Sequence, residues 1–222
     1  MSDKRPLILW SGGLDSTYLV WSNLVKRDVD VMYVSLANNN SKVDRELSAR
    51  TALKKLFEGY QHKIINDFHI EVPPINGNLK GFILTQPYLW VQAYITTFDP
   101  DIHSHAELGY IKSDCFWHIA GKIPEVINST CKTFRDDIET IDVRYPLEWK
   151  SKADILDKYQ NHFGKKILEH VTWCEYEGEG TAATSDCSCG PCTTMRETKH
   201  LQGLKDSKVC LYDMVRKDGA IE

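Results

Sequence analysis

The chain of 222 residues lacks any stretch approaching eighteen apolar residues, so no membrane-spanning helix organises it. It also lacks a basic excess: 27 Lys and Arg against 31 Asp and Glu leave a formal charge of −4. Tight binding to polymeric nucleic acid needs a concentrated basic footprint, so no direct contact with RNA or DNA is expected, whereas a nucleotide or a single base suits the chain. Repeats and low-complexity tracts are missing, and with 42% hydrophobic residues the composition is that of a folded globular protein rather than a disordered one. The opening Met1-Ser2-Asp3-Lys4-Arg5-Pro6 has no apolar signal stretch, and a cytoplasmic location is expected. Disulfides are not expected there, so the seven cysteines ask for another explanation. Two common nucleotide loops are absent as well: nothing ends in Gly-Lys-Ser/Thr, and no Gly-x-Gly-x-x-Gly opens a helix.

What is present is Ser11-Gly12-Gly13-Leu14-Asp15-Ser16, set between the apolar run Leu7-Ile8-Leu9-Trp10 and the helix-like run Thr17-Tyr18-Leu19-Val20-Trp21. A buried strand ends, two glycines allow a sharp turn, and a helix starts whose free N–H groups point back at the turn. Such a turn suits an anion. Ser11 and Ser16 can add hydroxyl donors, and Asp15 can cap the helix or help hold the cation that accompanies phosphates. The competing reading is an ordinary Gly-Gly turn before a capped helix, though few β-to-α turns combine Ser, Gly-Gly, Asp and Ser.

Leu7 to Trp10, Val29 to Ser35 and Gln61 to Asn66 read as strands, separated by amphipathic stretches at Thr17 to Lys26 and Asp44 to Phe57. Phe82 to Phe98 reads as a helix, Ala106 to Ile111 as a strand, Asp114 to Cys131 as a helix, Ile141 to Tyr145 as a strand and Ser151 to His162 as a helix. This alternation predicts an α/β fold: a Rossmann-like parallel sheet with helices on both faces, and the Ser-Gly-Gly turn at the carboxyl end of its first strand. Residues 1–150 are expected to form the nucleotide-binding core and 151–222 a smaller carboxyl-terminal helical, metal-binding segment.

Cys174, Cys187, Cys189 and Cys192 lie within nineteen positions, while Cys115, Cys131 and Cys210 are scattered. Four thiolates suit a closed tetrahedral zinc site, and Gly190-Pro191 makes the turn that brings Cys189 and Cys192 together. The single residue between Cys187 and Cys189 is tighter than the usual spacing. A three-cysteine site completed by another residue, an iron–sulfur cluster and a set of unrelated buried thiols stay open beside it. His103 and His105 would share a face in a strand, but no carboxylate-rich or cysteine partner lies near them in sequence, and a polar strand entrance is preferred to a metal or acid–base role.

The Ser-Gly-Gly-Leu-Asp-Ser loop resembles that of the N-type ATP pyrophosphatase superfamily. Together with Trp173-Cys174-Glu175 and Cys189-Gly190-Pro191-Cys192, it is similar to the 7-cyano-7-deazaguanine synthases, which carry a four-cysteine zinc site in the same place. Arg45-Glu46-Leu47, the Tyr110, Ser113, Asp114, Cys115 turn, and Tyr145 to Ile155 look like further segments of that family. Asn38 to Val43 stands where the family has Tyr-Gly-Gln-x-His, and Thr85-Gln86-Pro87 where it has Arg-Asn, so the chain departs in two segments expected to line the pocket.

The resemblance implies an ATP-dependent carbon–nitrogen ligase of queuosine or other 7-deazaguanine biosynthesis, joining 7-carboxy-7-deazaguanine and ammonia into the 7-cyano compound by way of adenylated and amide intermediates. It implies ATP, Mg2+ and Zn2+ as cofactors, no membrane and no polymeric nucleic acid as partner, with a homodimer left open. Ser11, Gly12, Gly13, Leu14, Asp15 and Ser16 would bind ATP, with Asp15, Ser16 and Lys152 serving the reaction and Asp114 the guanine-like edge. A surface lysine and a helix cap are the ordinary alternatives for Lys152 and Asp114. Tyr88, Trp90, Phe116 and Trp117 would stack on a base or fill the core. Three other readings remain: an enzyme that stops at the amide, a tRNA-modifying member of the superfamily that thiolates or lysinylates a base, against which the acidic balance argues, and a non-catalytic nucleotide- or base-binding protein.

Overall fold

The structure is a computed structural model and describes residues 4–36, 40–72, 82–112, 117–164, 167 and 170–172. Five strands, β1 (Arg5–Leu9), β2 (Val29–Leu36), β3 (Ile64–Val72), β4 (His103–Glu107) and β5 (Val143–Arg144), form one sheet in the order β3-β2-β1-β4-β5. Every pairing is parallel, so the α/β parallel architecture read from the alternating pattern is the one observed. The helices are α1 (Leu14–Leu24), α2 (Asn40–Phe57), α3 (Phe82–Thr97), α4 (Trp117–Ala120), α5 (Ile123–Phe134) and α6 (Lys152–Phe163).

β1 runs through the centre with Leu7 and Ile8 fully buried, which is why it reads as a continuous apolar run rather than an alternating one. Side chains alternate across it. Ile8, with Val29 and Val31, faces α1, α2 and α6 through Leu19, Leu53 and Tyr159. Leu7, with Met32 and Ala106, faces α3 and α5 through Tyr94, Ile127 and Cys131. Right-handed crossovers explain this partition, because the chain steps one way from β1 to β3 and the other way from β4 to β5. α6 packs into the same core as β1 and α1.

Three sequence expectations shift, the first being the strand expected from Ala106 to Ile111, which is β4 and runs from His103 to Glu107. The stretch expected as one helix from Asp114 to Cys131 is two, α4 and α5, because Pro124 in the first turn of α5 has no N–H to give and its ring disfavours helix before it. The third strand runs to Val72, well past Asn66. Asp67, His69 and Glu71 break its apolar run because it is an edge strand whose alternate side chains face outward, while Asn66 lies on the other face and donates to Asp30. Among the described residues no helix is long and apolar enough to cross a membrane.

Candidate functional site

The sheet changes direction of winding between β1 and β4. A crevice therefore opens at the carboxyl edge of these strands, the place where ligands enter open parallel sheets. Ser11 to Ser16 fills one wall of it. Gly12 sits at φ +79°, and a Cβ there would lie 3.1 Å from both Arg50 Cγ and the Glu46 carbonyl oxygen. Conformation and space both demand glycine. Gly13 is the N-cap of α1 and has no side chain to offer its amides.

The two serine hydroxyls face one another at 3.2 Å, and the Ser11 and Gly13 amides donate to Ser16 Oγ and Ser11 Oγ, each at 3.3 Å. These contacts are long for neutral hydrogen bonds. A charged phosphate oxygen, which binds such donors about twice as strongly, would displace them.

Lys152, the first residue of α6, reaches across the chain to pair with Asp15. Its side chain is 13% exposed and that of Asp15 19%, so this is a half-enclosed pair rather than a solvated surface lysine. The helix start that positions Lys152 is held by a capping box, in which Ser151 Oγ accepts from the Asp154 amide and the Asp154 carboxylate accepts from the Ser151 amide. Tyr159, about two turns further along the same helix, donates to the Leu14 carbonyl at 2.9 Å and ties α6 to α1.

Four contributors to the site were not found from the sequence. Thr172 lies along the loop as a parallel bridge: its carbonyl accepts from the Leu14 amide at 3.1 Å, and its amide donates to the Gly12 carbonyl at 2.9 Å. Gly109, just past β4, touches the other side, where a Cβ would stand 3.1 Å from the Ser16 nitrogen and Cα. Tyr94 is fully buried between the strand ends; its hydroxyl accepts from the Leu9 amide at 3.1 Å and donates to the Glu107 carbonyl at 2.6 Å. It stands between β1 and β4 where their ladder ends at Ile8 and Glu107. Arg50 lies behind Gly12, its guanidinium carbon 4.8 Å from the Trp10 ring centroid and 4.9 Å from that of Tyr33. Only the glycine left a local trace, as a Leu-Gly-Tyr after a strand. The rest depend on contacts between distant segments.

Beside Arg50, Tyr33 donates to the Glu46 carboxylate at 2.6 Å. Burial pushes the Glu46 carboxyl up, against the opposing pull of Lys42 and the Tyr33 hydrogen bond. Burial together with the Glu46 charge raises the Tyr33 phenol far above its ordinary range.

Of the aromatic candidates, Trp90 packs edge-on against Tyr110 and Trp117 against Tyr145, both as partly buried members of the core on the α3 and α5 side. The Tyr88 side chain, Phe116, Asp114 and the four clustered cysteines Cys174, Cys187, Cys189 and Cys192 lie outside the described residues. Among the described residues no cluster of three or more His, Cys, Asp or Glu could hold a metal.

His103 and His105 do not form a polar strand entrance, and both have carboxylate partners. They are buried, His103 on Asp30 at 3.0 Å and His105 on Glu107 at 2.8 Å. The Asp99 amide donates to His103 Nδ1, so the ring proton sits on Nε2 and is donated to Asp30. Sequence distance hid the first pair, because Asp30 belongs to β2, whereas Glu107 stands only two residues from His105 on β4.

No family model and no curated protein matches the chain. Among solved structures, it is similar to a U34-tRNA thiolase of Methanococcus maripaludis described with its [4Fe-4S] cluster. The likeness has a TM-score of 0.44 and 11% identity, over 90% of this chain and 67% of that one. A likeness this loose says nothing about substrate or activity; the fold assignment rests on the strand order and pairing above.

Proposed function

We propose that the protein is an ATP-consuming enzyme of the N-type ATP pyrophosphatase superfamily that activates an acceptor oxygen by adenylation. The observation that carries this reading is the placement of Ser11 to Ser16 at the sheet's switch point, with Lys152 brought onto Asp15 from 137 residues away. Adenylation needs no protein nucleophile. It needs ATP bent so that an acceptor oxygen faces the α-phosphorus, and donors aimed at the charge that gathers on the departing pyrophosphate. The Ser11 and Ser16 hydroxyls and the first-turn amides of α1 supply donors, and Lys152 supplies a cation whose present partner, Asp15, is itself available to a metal. One carboxylate at a phosphate site fits Mg2+, which is commonly held by one or two carboxylates and the substrate phosphates. When bound there it would neutralise phosphate charge.

The acceptor we propose is 7-carboxy-7-deazaguanine, supported by the joint likeness of the loop, the cysteine segment and the Tyr145 to Ile155 segment to the 7-cyano-7-deazaguanine synthases. The carboxylate oxygen attacks the α-phosphorus and pyrophosphate leaves; ammonia then displaces AMP to give the amide. A second ATP then takes the amide oxygen onto its α-phosphorus as pyrophosphate leaves, and departure of AMP with loss of both nitrogen-bound protons leaves the nitrile. The cysteine segment is proposed to hold structural zinc, a role its four-thiol donor set suits.

Incubation with ATP, Mg2+, ammonia and 7-carboxy-7-deazaguanine is expected to release AMP and pyrophosphate with a nitrile product, and Asp15→Asn or Lys152→Met is expected to abolish the release. AMP formation that does not depend on the acceptor would refute the proposed substrate. Mass spectrometry separates nitrile from amide by one water, which tests whether the departures at Asn38 to Val43 and Thr85 to Pro87 halt the reaction at the amide.

A further inference from the structure

We infer that Arg50 belongs to the anion site: it lends a fixed positive charge from behind the Gly12 turn and holds that turn in place. This rests on the reading of Ser11 to Ser16 as a phosphate cradle. Three observations separate Arg50 from an ordinary structural ion pair.

First, it is redundant as an ion-pair partner. Arg50 Nη2 pairs with Asp67, but Lys54 pairs with the other oxygen of the same carboxylate, and the Lys54 side chain is 41% exposed, where a charge is inexpensive to keep. Asp67 would stay neutralised without Arg50. Second, Arg50 is only 3% exposed and its Nε finds no hydrogen-bond partner among the described residues. A buried donor left so opposes folding, as does the burial of the guanidinium charge itself. The position therefore retains a cation at a cost to stability.

Third, its placement ties the charge to the loop. The Arg50 stem presses on Gly12, where a Cβ would meet Cγ at 3.1 Å, and the guanidinium lies against Trp10, the residue immediately before Ser11. The surroundings leave the charge exposed to the cradle electrostatically. Glu46, the carboxylate nearest in sequence on α2, is paired with Lys42 at 4.0 Å and accepts from Tyr33, so Arg50, Lys54 and Lys42 face two carboxylates, Asp67 and Glu46, and leave one positive charge in excess beneath the turn. Protein rather than water separates Arg50 from the loop, so its field on a bound anion is weakly screened.

The test is calorimetric binding of inorganic pyrophosphate with Mg2+ to the parent, Arg50→Met, Arg50→Gln, Arg50→Lys and Lys54→Met, each with a thermal melt. The neutral Arg50 variants are expected to bind about tenfold more weakly while remaining folded, Arg50→Lys to recover most of the affinity, and Lys54→Met to stay within about twofold of the parent. A folded Arg50→Met or Arg50→Gln that binds like the parent would overturn the assignment and leave the cradle standing. So would an Arg50→Lys as weak as the neutral variants, or failure of both neutral variants to fold, which would make Arg50 a structural group. A parent protein that binds neither pyrophosphate nor ATP removes the cradle reading itself, and Arg50's role with it.

Discussion

Gly109→Ala adds one methyl group at the place where β4 delivers the chain against the first turn of α1. The new Cβ would lie 3.1 Å from the Ser16 nitrogen and Cα and 3.3 Å from the Asp15 carbonyl carbon. All three are backbone atoms of a helix start, which cannot swing aside as a flexible side chain would. The backbone at Gly109 is not in the left-handed region, since Gly12 and Gly164 alone among the described glycines have positive φ. Alanine can therefore adopt the local conformation, and the reduced freedom of its unfolded chain would stabilise by about 0.4–1 kcal/mol. Overpacking against rigid backbone costs about 1–3 kcal/mol, so the methyl clash wins and a net loss of about 1–2 kcal/mol is expected. For a chain of this size that lowers Tm by about 2–8 °C. The effect on binding should be larger, because the displaced atoms include the Ser16 amide, one of the first-turn donors proposed to meet the phosphates, and a small misplacement of such a donor costs about tenfold or more. Differential scanning calorimetry and ATP titration measure the two effects. Gly59→Ala, with nothing within 4 Å of its Cβ position, is the control and is expected to leave both unchanged or to raise Tm. A Gly109→Ala protein as stable as the parent and equal in ATP affinity would refute the close approach of β4 to the loop.

Tyr94→Phe removes the hydroxyl that serves both the Leu9 amide and the Glu107 carbonyl, and should cost about 2–3 kcal/mol in urea unfolding; a change below half a kcal/mol would mean the strand ends do not depend on it. His103 is neutral in the fold: burial pushes its imidazole down, only partly opposed by Asp30, and protonation would set Nδ1–H against the Asp99 amide. Its contribution is thus fully present above the ordinary imidazole pKa of about 6.5 and is lost as the pH falls below it, at no more than about 1.4 kcal/mol per pH unit. Asp30 acts lower on the scale. Burial works against its charge, but hydrogen bonds from Arg5, Asn66 and His103 outweigh it and hold the carboxyl below the usual range, so this part is lost only in stronger acid. His103→Gln should flatten the stability profile between pH 7 and 5, and equal slopes in the two proteins would exclude His103 as the titrating group. Metal analysis should find about one zinc per chain, reduced by Cys189→Ser, with a fall in Tm. Because Cys174 follows two residues after Thr172, which holds the loop at Gly12 and Leu14, chelation should weaken ATP binding too; unchanged affinity in the metal-free protein would uncouple the two.

The turn from β1 into α1 was legible because everything that makes it is local. Leu7 and Ile8 are buried, Gly12 must take a positive φ, and the helix follows at once. The same holds for Ser151, Lys152 and Asp154, where a capping box is written in four consecutive residues. The break before α5 was equally local in Pro124, yet the apolar spacing across it imitated one continuous helix. His103 was misjudged for the opposite reason: its partner Asp30 sits 73 positions away on a strand two places along the sheet.

The residue pattern alone determined a parallel α/β protein with a phosphate-type loop at the end of its first strand, since backbone conformation and the period of burial are properties of neighbours along the chain. Tertiary structure decided the strand order β3-β2-β1-β4-β5, and with it which residues meet that loop. Lys152, Thr172, Gly109, Tyr94 and Arg50 come from five different segments, and no local preference brings them together. They converge because the sheet reverses its winding beside β1, and the packing of helices on both faces leaves the carboxyl edge of that strand as the place where the chain's distant parts close around one turn.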